Sequence, residues 1–513
     1  MQINVETLKD KILGCWTGKN IGGVLGAPFE AKRGVFDVDY YVQEDLEGNP
    51  PPNDDLDLQL VWLIAAEKYG QQLNAEILGE YWLTFLNPDW CEYGRGMANM
   101  RAGMNPALSG HVENTYRNSC GCFIRSEIWA CLCPGNPDLA VKYAYEDAVV
   151  DHSGDGMYGE LFCAALESAA FVESDREKLI EIALSYIPED CLVAKAVKLA
   201  RECYESGIDW KAARKRMMNE IPGTFSVQFE IPENTEDFPL EPVGNDCPNN
   251  IGLMMIAWYY GGDDFGKCLC TAVNCGEDTD CTAGTLGAIF GIIHGSGNLP
   301  EKWTKPIGGI INTMCIDKTK GYVLGEIPKN VDELSERILR AVPRFLDSER
   351  CDVFAEGGYS VYAREDLFCR DRKVKRLPGI GMGYNPRPII AHEQFGPMTV
   401  RKDNHMFTLY LEHEDGVFLK AGEPLRLKLY AEATPYAHHQ WLNIRINAPE
   451  SLQVLPGRTF SMPLHYTNST MSELDLRVYS ENPDFCYADV VIEVWIEGRH
   501  TWTAMRTRIY VKS

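Results

Sequence analysis

The chain has 513 residues and a mass of 57.7 kDa, too long for one hydrophobic core, so two or three domains are expected. Hydrophobic residues make up 45% and charged residues 24%, ordinary globular values that argue against a disordered protein. A net charge of −25 disfavours DNA and RNA as partners, but not a small anion that meets a local arginine or a helix N-terminus.

The start, "MQINVETLKDKILGCW", has no basic segment leading into a long apolar run, and no stretch offers the roughly 20 apolar residues of a membrane span. A soluble, cytoplasmic protein without a membrane partner is expected. The 18 cysteines fit reduced, buried thiols. The two C-x-C pairs of "CGCFIRSEIWACLC" lack the usual C-x-x-C spacing of zinc sites.

The first three hundred residues read as helical. "NIGGVLGAPFE" is glycine-rich, which suits close helix packing at Gly22, Gly23 and Gly26 and leaves Glu30 unexplained. "LDLQLVWLIAAEKYG" has helical spacing and a fitting stop at Gly70. "PALSGHVENTYRNSCGCFIRSEIW" is a long polar loop with Asn114, Asn118 and Arg125; it either lies on the surface or lines a substrate site. "VVDHSGDGMYGE" puts His152 and Asp155 in a turn that opens a helix, as cap or as ligand site, and the two readings stand level. "DGMYGELFCAALESAAFVES" predicts a helix buried on most sides. "DREKLIEIALSYI" and "CLVAKAVKLARECYESG" predict amphipathic outer helices, and "DELSERILRAVPRFLD" one more. "VKRLPGIGMGYNPRPII" reads as a Pro/Gly-rich connector. Beyond Ile389 six alternating runs, from "HMFTLYLEH" to "TAMRTRIYVKS", predict an antiparallel β-sandwich. Its Trp441, Trp495 and Trp502 are expected in its core. The expected organisation is thus a helical domain over 1–350, a connector over 351–388 and a sandwich over 389–513, a multidomain α+β chain.

Two acidic turns stand out. "PPPNDDLDLQL" brings Asp54, Asp55 and Asp57 to a helix start, and "NCGEDTDCTAG" does the same with Glu277, Asp278 and Asp280. One aspartate suffices as a cap. Two or three carboxylates at a buried helix start cost repulsion and desolvation unless a cation offsets them. Hard divalent ions take such oxygens, and two acidic turns meeting across a bundle would fit one or two Mg²⁺. On spacing alone, capping and metal binding remain level.

The order "GGVLGAPFE", "NDDLDLQL", "GCFIR", "DHSGDG", "GEDTDCTAGTLGAIFG" resembles the ADP-ribosylglycohydrolase family over about residues 6–300. The resemblance implies an all-α orthogonal bundle with two magnesium ions. By position it implies Asn53, Asp54 and Asp55 as ligands from the first turn and Asp278, Asp280 and Cys281 from the second. Glu30 falls at a glutamate beside the metals, and His152 near a histidine associated with the ribose or its phosphates. Asn53 and Cys281 replace hydroxyl ligands, a thiol being a poor partner for a hard ion; Thr282 is a candidate substitute. Gly23 stands where the family often has Asp.

The expected activity is Mg²⁺-dependent hydrolysis of an N- or O-glycosidic bond of ADP-ribose or a related ribosyl compound. Glu30, Asp55 and Asp278 are the catalytic candidates, with Asn118, Gly121, Arg125, His152 and Asp155 expected around the substrate. Two alternatives stay open: hydrolysis of another small glycoside, furanoside or nucleoside, and non-catalytic binding of ADP-ribose or a sugar. A homo-oligomer is also open.

Overall fold

The computed structural model describes residues 1–30, 32–104, 106–221, 223, 245–320, 325–369, 398–404, 406–433, 440–465 and 471–512. The chain divides into two compact units: Met1–Ala102 with Pro106–Met382, and Gly103–Asn105 with Gly383–Ser513. Among the described residues no helix is long and apolar enough to cross a membrane.

The first unit is helical, as the periodicity predicts. Its centre is a helix pair, α1 (Val5–Gly26) and the Thr279–His294 helix. Gly14, Gly18, Gly22 and Gly26 recur every fourth residue along α1 and so form one stripe. A Cβ added at Gly14, Gly18 or Gly22 would overlap the backbone of Gly291, Gly287 or Ala283 respectively, and one at Gly26 would overlap Asp280. Only bare backbone lets the helices approach this closely. Gly23 lies off the stripe and faces the Asn53 side chain.

Helix α2 (Asp54–Tyr69) starts after three prolines and is capped by Asn53, whose Oδ1 accepts from the Asp55 amide at 2.8 Å. It ends at Gly70, where φ is 54°. Its apolar residues, among them Leu58, Leu60, Val61, Trp62 and Leu63, are buried almost all round. The Asp155–Ala170 helix is likewise buried, and the Arg176–Leu184 and Leu192–Glu205 helices alternate buried and outward faces. Cys120, Cys122, Cys131 and Cys133 are buried free thiols.

One expectation fails locally. The helical unit carries a small sheet in which β1 (Gln2–Asn4) pairs antiparallel with β3 (Ser360–Tyr362), and β3 pairs with β2 (Cys351–Asp352). Strands of two or three residues leave no alternation to read, and the pairing joins segments more than 350 residues apart. Part of the expected connector therefore belongs to the helical unit; positions 370–388 lie outside the described residues.

The second unit is a two-sheet sandwich. One sheet is ordered β10 (Thr459–Leu464), β8 (Gln440–Asn447), β12 (Tyr487–Ile496), β13 (Trp502–Val511), β6 (Phe418–Leu419). The other is ordered β4 (Thr399–Asp403), β5 (Phe407–His413), β7 (Leu425–Ala433), β11 (Ser472–Tyr479), β9 (Gln453–Leu455). Pairing is antiparallel except between β6 and β13. Alternate residues such as Leu427, Leu429, Ile444, Ile446, Ile492 and Val494 fill the core. Trp441 and Trp502 are not core residues: each is 57% exposed, because the strand period turns them to the outer face.

The glycine stripe yields a stability prediction. Gly22→Val should cost more than about 3 kcal/mol, above usual overpacking penalties, because the clash is with backbone. Gly207→Ala should cost less, since an added Cβ there meets only open space, although the φ of 74° strains it. Chemical denaturation of both variants would check the order.

Candidate metal centre

The close approach of α1 to the Thr279–His294 helix sets the two acidic turns side by side. The chain leaving α1 is laced to the second turn: the Glu277 amide donates to the Lys32 carbonyl at 2.9 Å, and the Phe36 amide to the Asn274 carbonyl at 3.0 Å. Asn53 bridges the turns, its Nδ2 donating to Asp280 Oδ2 at 3.2 Å. Cys281 Sγ donates to Asp55 Oδ1 at 3.5 Å.

The carboxylates take different roles. Glu277, at φ 70°, forks onto the Arg33 guanidinium at 3.0–3.3 Å and reaches Arg214 at 3.4 Å, so it holds the turn. Asp57 Oδ2 accepts from the Met314 and Cys315 amides at 2.7 and 2.5 Å and clamps that loop. Glu30, Asp54, Asp278 and Asp280 instead line a cavity of about 240 Å³ together with Asn53, Cys281, Gly121, Trp90, Glu92, Tyr93 and Met314. Donor atoms of Glu30, Asp278 and Asp280 lie within 4.8 Å of one another, as do those of Asp55, Asp280 and Cys281.

Buried Asp278 Oδ1 and Asp280 Oδ1 have no hydrogen-bond partner among the described residues. Such orphaned anionic oxygens are costly unless something completes them. Burial, then repulsion from Asp55, pushes Asp278 up to about 6, although thiol hydrogen bonds oppose it. Glu30 is the exposed member, yet enough protein surrounds its carboxyl that desolvation, then Asp278 and Asp55, push it up to about 7. Asp54 and Asp280 are pushed well above the carboxylate range by burial and by their acidic neighbours. An all-oxygen acidic set with orphaned atoms suits a hard divalent cation. Cys281 fits less well: burial and the nearby carboxylates keep its thiol protonated. Thr282 offers no substitute in this arrangement: it is not among the residues that line the cavity, and its hydroxyl donates to the Thr279 carbonyl at 3.3 Å.

Several expected substrate residues lie elsewhere. Arg125 is fully buried, with Nε 2.9 Å from Asp147 and Nη2 2.5 Å from Asp151, so its guanidinium is not offered to a phosphate. His152 is fully buried between Asp151, 2.9 Å from Nδ1, and Ser119 Oγ, 2.8 Å from Nε2. Asp155 accepts from the Leu192 and Val193 amides at 2.7 and 3.2 Å and caps that helix. Asn118 Oδ1 accepts from the Gly156 amide at 3.3 Å. None of these four lines the cavity; Arg125 and His152 are buried in ion pairs, while Asn118 and Asp155 are half-buried. Gly121 does reach the cavity, where a Cβ would overlap the Glu92 carboxyl.

Two residues escaped the sequence reading. Glu92 is a buried cavity carboxyl 4.0 Å from His152 Nε2, and Lys19 is a buried lysine on α1. "DWCEYG" gives Glu92 no motif. The signal for Lys19 was there: a lysine at i+1 of a glycine inside an otherwise small and apolar stretch.

A helical unit that gathers carboxylates from four segments around one cavity defines a candidate divalent-cation centre. The ADP-ribosylglycohydrolase family model matches residues 4–341, and the chain belongs to that family of glycohydrolases. An uncharacterized protein of Archaeoglobus fulgidus is 24% identical over 314 residues, spanning 58% of this chain and 91% of the relative. A solved structure titled as an ADP-ribosylglycohydrolase-related protein complex shares 17% identity, with a TM-score of 0.43, over 66% of this chain and 99% of its own.

The raised carboxyls carry a sign. Asp278 and Glu30 titrate higher folded, at about 6 and 7, than their ordinary values of 3.8 and 4.5. The cation-free fold therefore binds more protons than the unfolded chain, and the cluster's stabilising contribution is lost as pH rises through that window. A cation replaces those protons. The melting-temperature gap between Mg²⁺-loaded and EDTA-treated protein should widen from about pH 5 to about pH 8. A gap that stays flat would refute the assignment.

Proposed function

We propose that the chain is a divalent-metal-dependent hydrolase of a ribosyl glycosidic bond, with Mg²⁺ as the metal. The observation that supports this most is the convergence of Glu30, Asp54, Asp278 and Asp280 on one cavity within a glycohydrolase family fold. Asp278, Asp280 and Asp54 would hold the ion, with the Asn53 amide steering Asp280. When bound, it supplies Lewis-acid charge for sugar hydroxyls and for a water. Glu30 is the base in this reading, because it stands at the accessible side of the cluster, within 4.8 Å of the oxygens of Asp278 and Asp280. The acidic walls stabilise positive charge as it develops at the anomeric carbon. Asp55 is a weaker candidate for base than its sequence position implied, since both its oxygens already have partners.

The cavity lies below the roughly 300–1,000 Å³ usual for drug-sized ligands, which suits one sugar ring with its other substituents outside. Half-exposed Trp90 at the lining offers a flat surface to such a substituent. A second reading has its own support. No lysine or arginine lines the cavity among the described residues, which favours a neutral furanoside or nucleoside over a diphosphate.

Turnover of ADP-ribosyl-arginine, ADP-ribosyl-serine, O-acetyl-ADP-ribose and aryl glycosides separates the readings. Hydrolysis of at least one should be abolished by EDTA and restored by Mg²⁺. Glu30→Gln should lower kcat by ~10²–10⁴-fold with little change in melting temperature. Asp278→Ala and Asp280→Ala should lose both turnover and Mg²⁺ binding. Binding of ADP-ribose without turnover of any substrate would instead favour a binding protein.

A further inference from the structure

Lys19 sits on the inner side of the acidic centre and is 1% exposed. Its Nζ lies 3.1 Å from Asp55 Oδ2 and 2.9 Å from Glu127 Oε1. The same nitrogen donates to the Ile124 carbonyl at 2.8 Å and contacts Thr285 Oγ1 at 3.3 Å. Two hydrogen bonds and two ion pairs hold the ammonium in place. Glu127 is fixed in turn by Gln59, whose Nε2 donates to its Oε2 at 2.9 Å. Gly284 completes the arrangement, since a Cβ there would press on both Asp55 Oδ2 and the Lys19 stem at 3.3 Å.

This splits the carboxylates into two groups. On the inner side Asp55 Oδ2 makes no hydrogen bond among the described residues but is met by the ammonium as an ion pair, and Oδ1 accepts from the Cys281 thiol. On the cavity side Asp278 Oδ1 and Asp280 Oδ1, in side chains more than nine-tenths buried, have no hydrogen-bond partner among the described residues, and Glu30 faces them. A Mg²⁺ at the ~2.1 Å of a carboxylate ligand on Asp55 Oδ2 would lie at most about 5 Å from the ammonium. Two cations so close in a low-dielectric interior repel strongly.

We propose that the Lys19 ammonium takes the place of a second metal ion, so that this centre holds one divalent cation, on the Glu30, Asp278 and Asp280 side. The inference rests on the metal-dependent reading of the site but not on its substrate. It follows that Asp55 is a positioning residue, anchoring the inner wall through Lys19, and that the chain departs from the two-ion arrangement that the family resemblance implies.

The test is ion stoichiometry on the full chain, stripped with EDTA and titrated with Mn²⁺ by calorimetry and electron paramagnetic resonance. One Mn²⁺ per chain with the spectrum of an isolated ion is expected. Lys19→Met combined with Glu127→Gln removes the Lys19–Glu127 pair together and leaves Asp55 as the one carboxylate that loses its cation. That variant should take up a second Mn²⁺, and the spectrum should show coupling between the two spins. Two coupled ions in the unaltered chain, or no bound ion, would overturn the proposal; so would a folded double variant that still binds one. Should the variant fail to fold, the unaltered chain's stoichiometry decides alone. One bound Mn²⁺ with no glycoside turned over would sink the hydrolase reading and leave this inference standing. Two ions in an active enzyme would do the opposite.

Discussion

The site depends on how closely α1 approaches the Thr279–His294 helix. Gly14, Gly18, Gly22 and Gly26 remove every side chain from one stripe of α1, and Gly287 and Gly291 answer from the other helix. Backbone then meets backbone, with dispersion contacts along the whole length and little side-chain entropy to lose. The last glycine of the stripe lies against Asp280 itself. The Thr279 hydroxyl donates to the Gly26 carbonyl at 2.9 Å and sets the end of the stripe. The acidic turn is therefore placed largely by packing that none of the cavity carboxylates has to drive.

That division of labour explains how so many carboxylates share a small volume. Apolar packing and the Arg33–Glu277 fork hold the turns in place, so the cluster does not have to favour its own assembly. Some of its charge is met internally, by Lys19 at Asp55 and Glu127. The rest is left on Asp278, Asp280 and Glu30, where only protons or a cation can answer it. Such a site stores unfavourable electrostatics that ligand binding releases. Behind it, Arg125, Asp147, Asp151 and His152 form a second buried charged network beneath Glu92. Its members are held by one another and by Gly121, Trp129 and Ser119.

Much of this was legible in the chain. Helical spacing located α2 and the outer helices because each buries a face at period 3.6. Period-two runs located β5, β7, β8, β11, β12 and β13 because sandwich strands bury alternate residues. Asp54, Asp55, Asp278 and Asp280 could be named together since acidic residues at two helix starts are a local pattern; Asn53 joined them only through the family resemblance. The strands of two or three residues, β1, β2, β3, β6 and β9, left no trace, being too short to show alternation. Trp441 and Trp502 were misassigned because their type favours burial while their strand parity turns them outward.

The sequence by itself determined which segments become helices or strands, where acidic turns begin helices, and which family the pattern resembles. These follow from spacing along the backbone, and spacing is written in the chain. Only the tertiary structure decided that Arg125, His152, Asp155 and Glu277 are spent on scaffold pairs, that Glu92 and Trp90 reach the cavity, and that Lys19 meets Asp55. Each of those depends on which partner a side chain finds across the fold. Partners tens to hundreds of residues apart have no spacing to read.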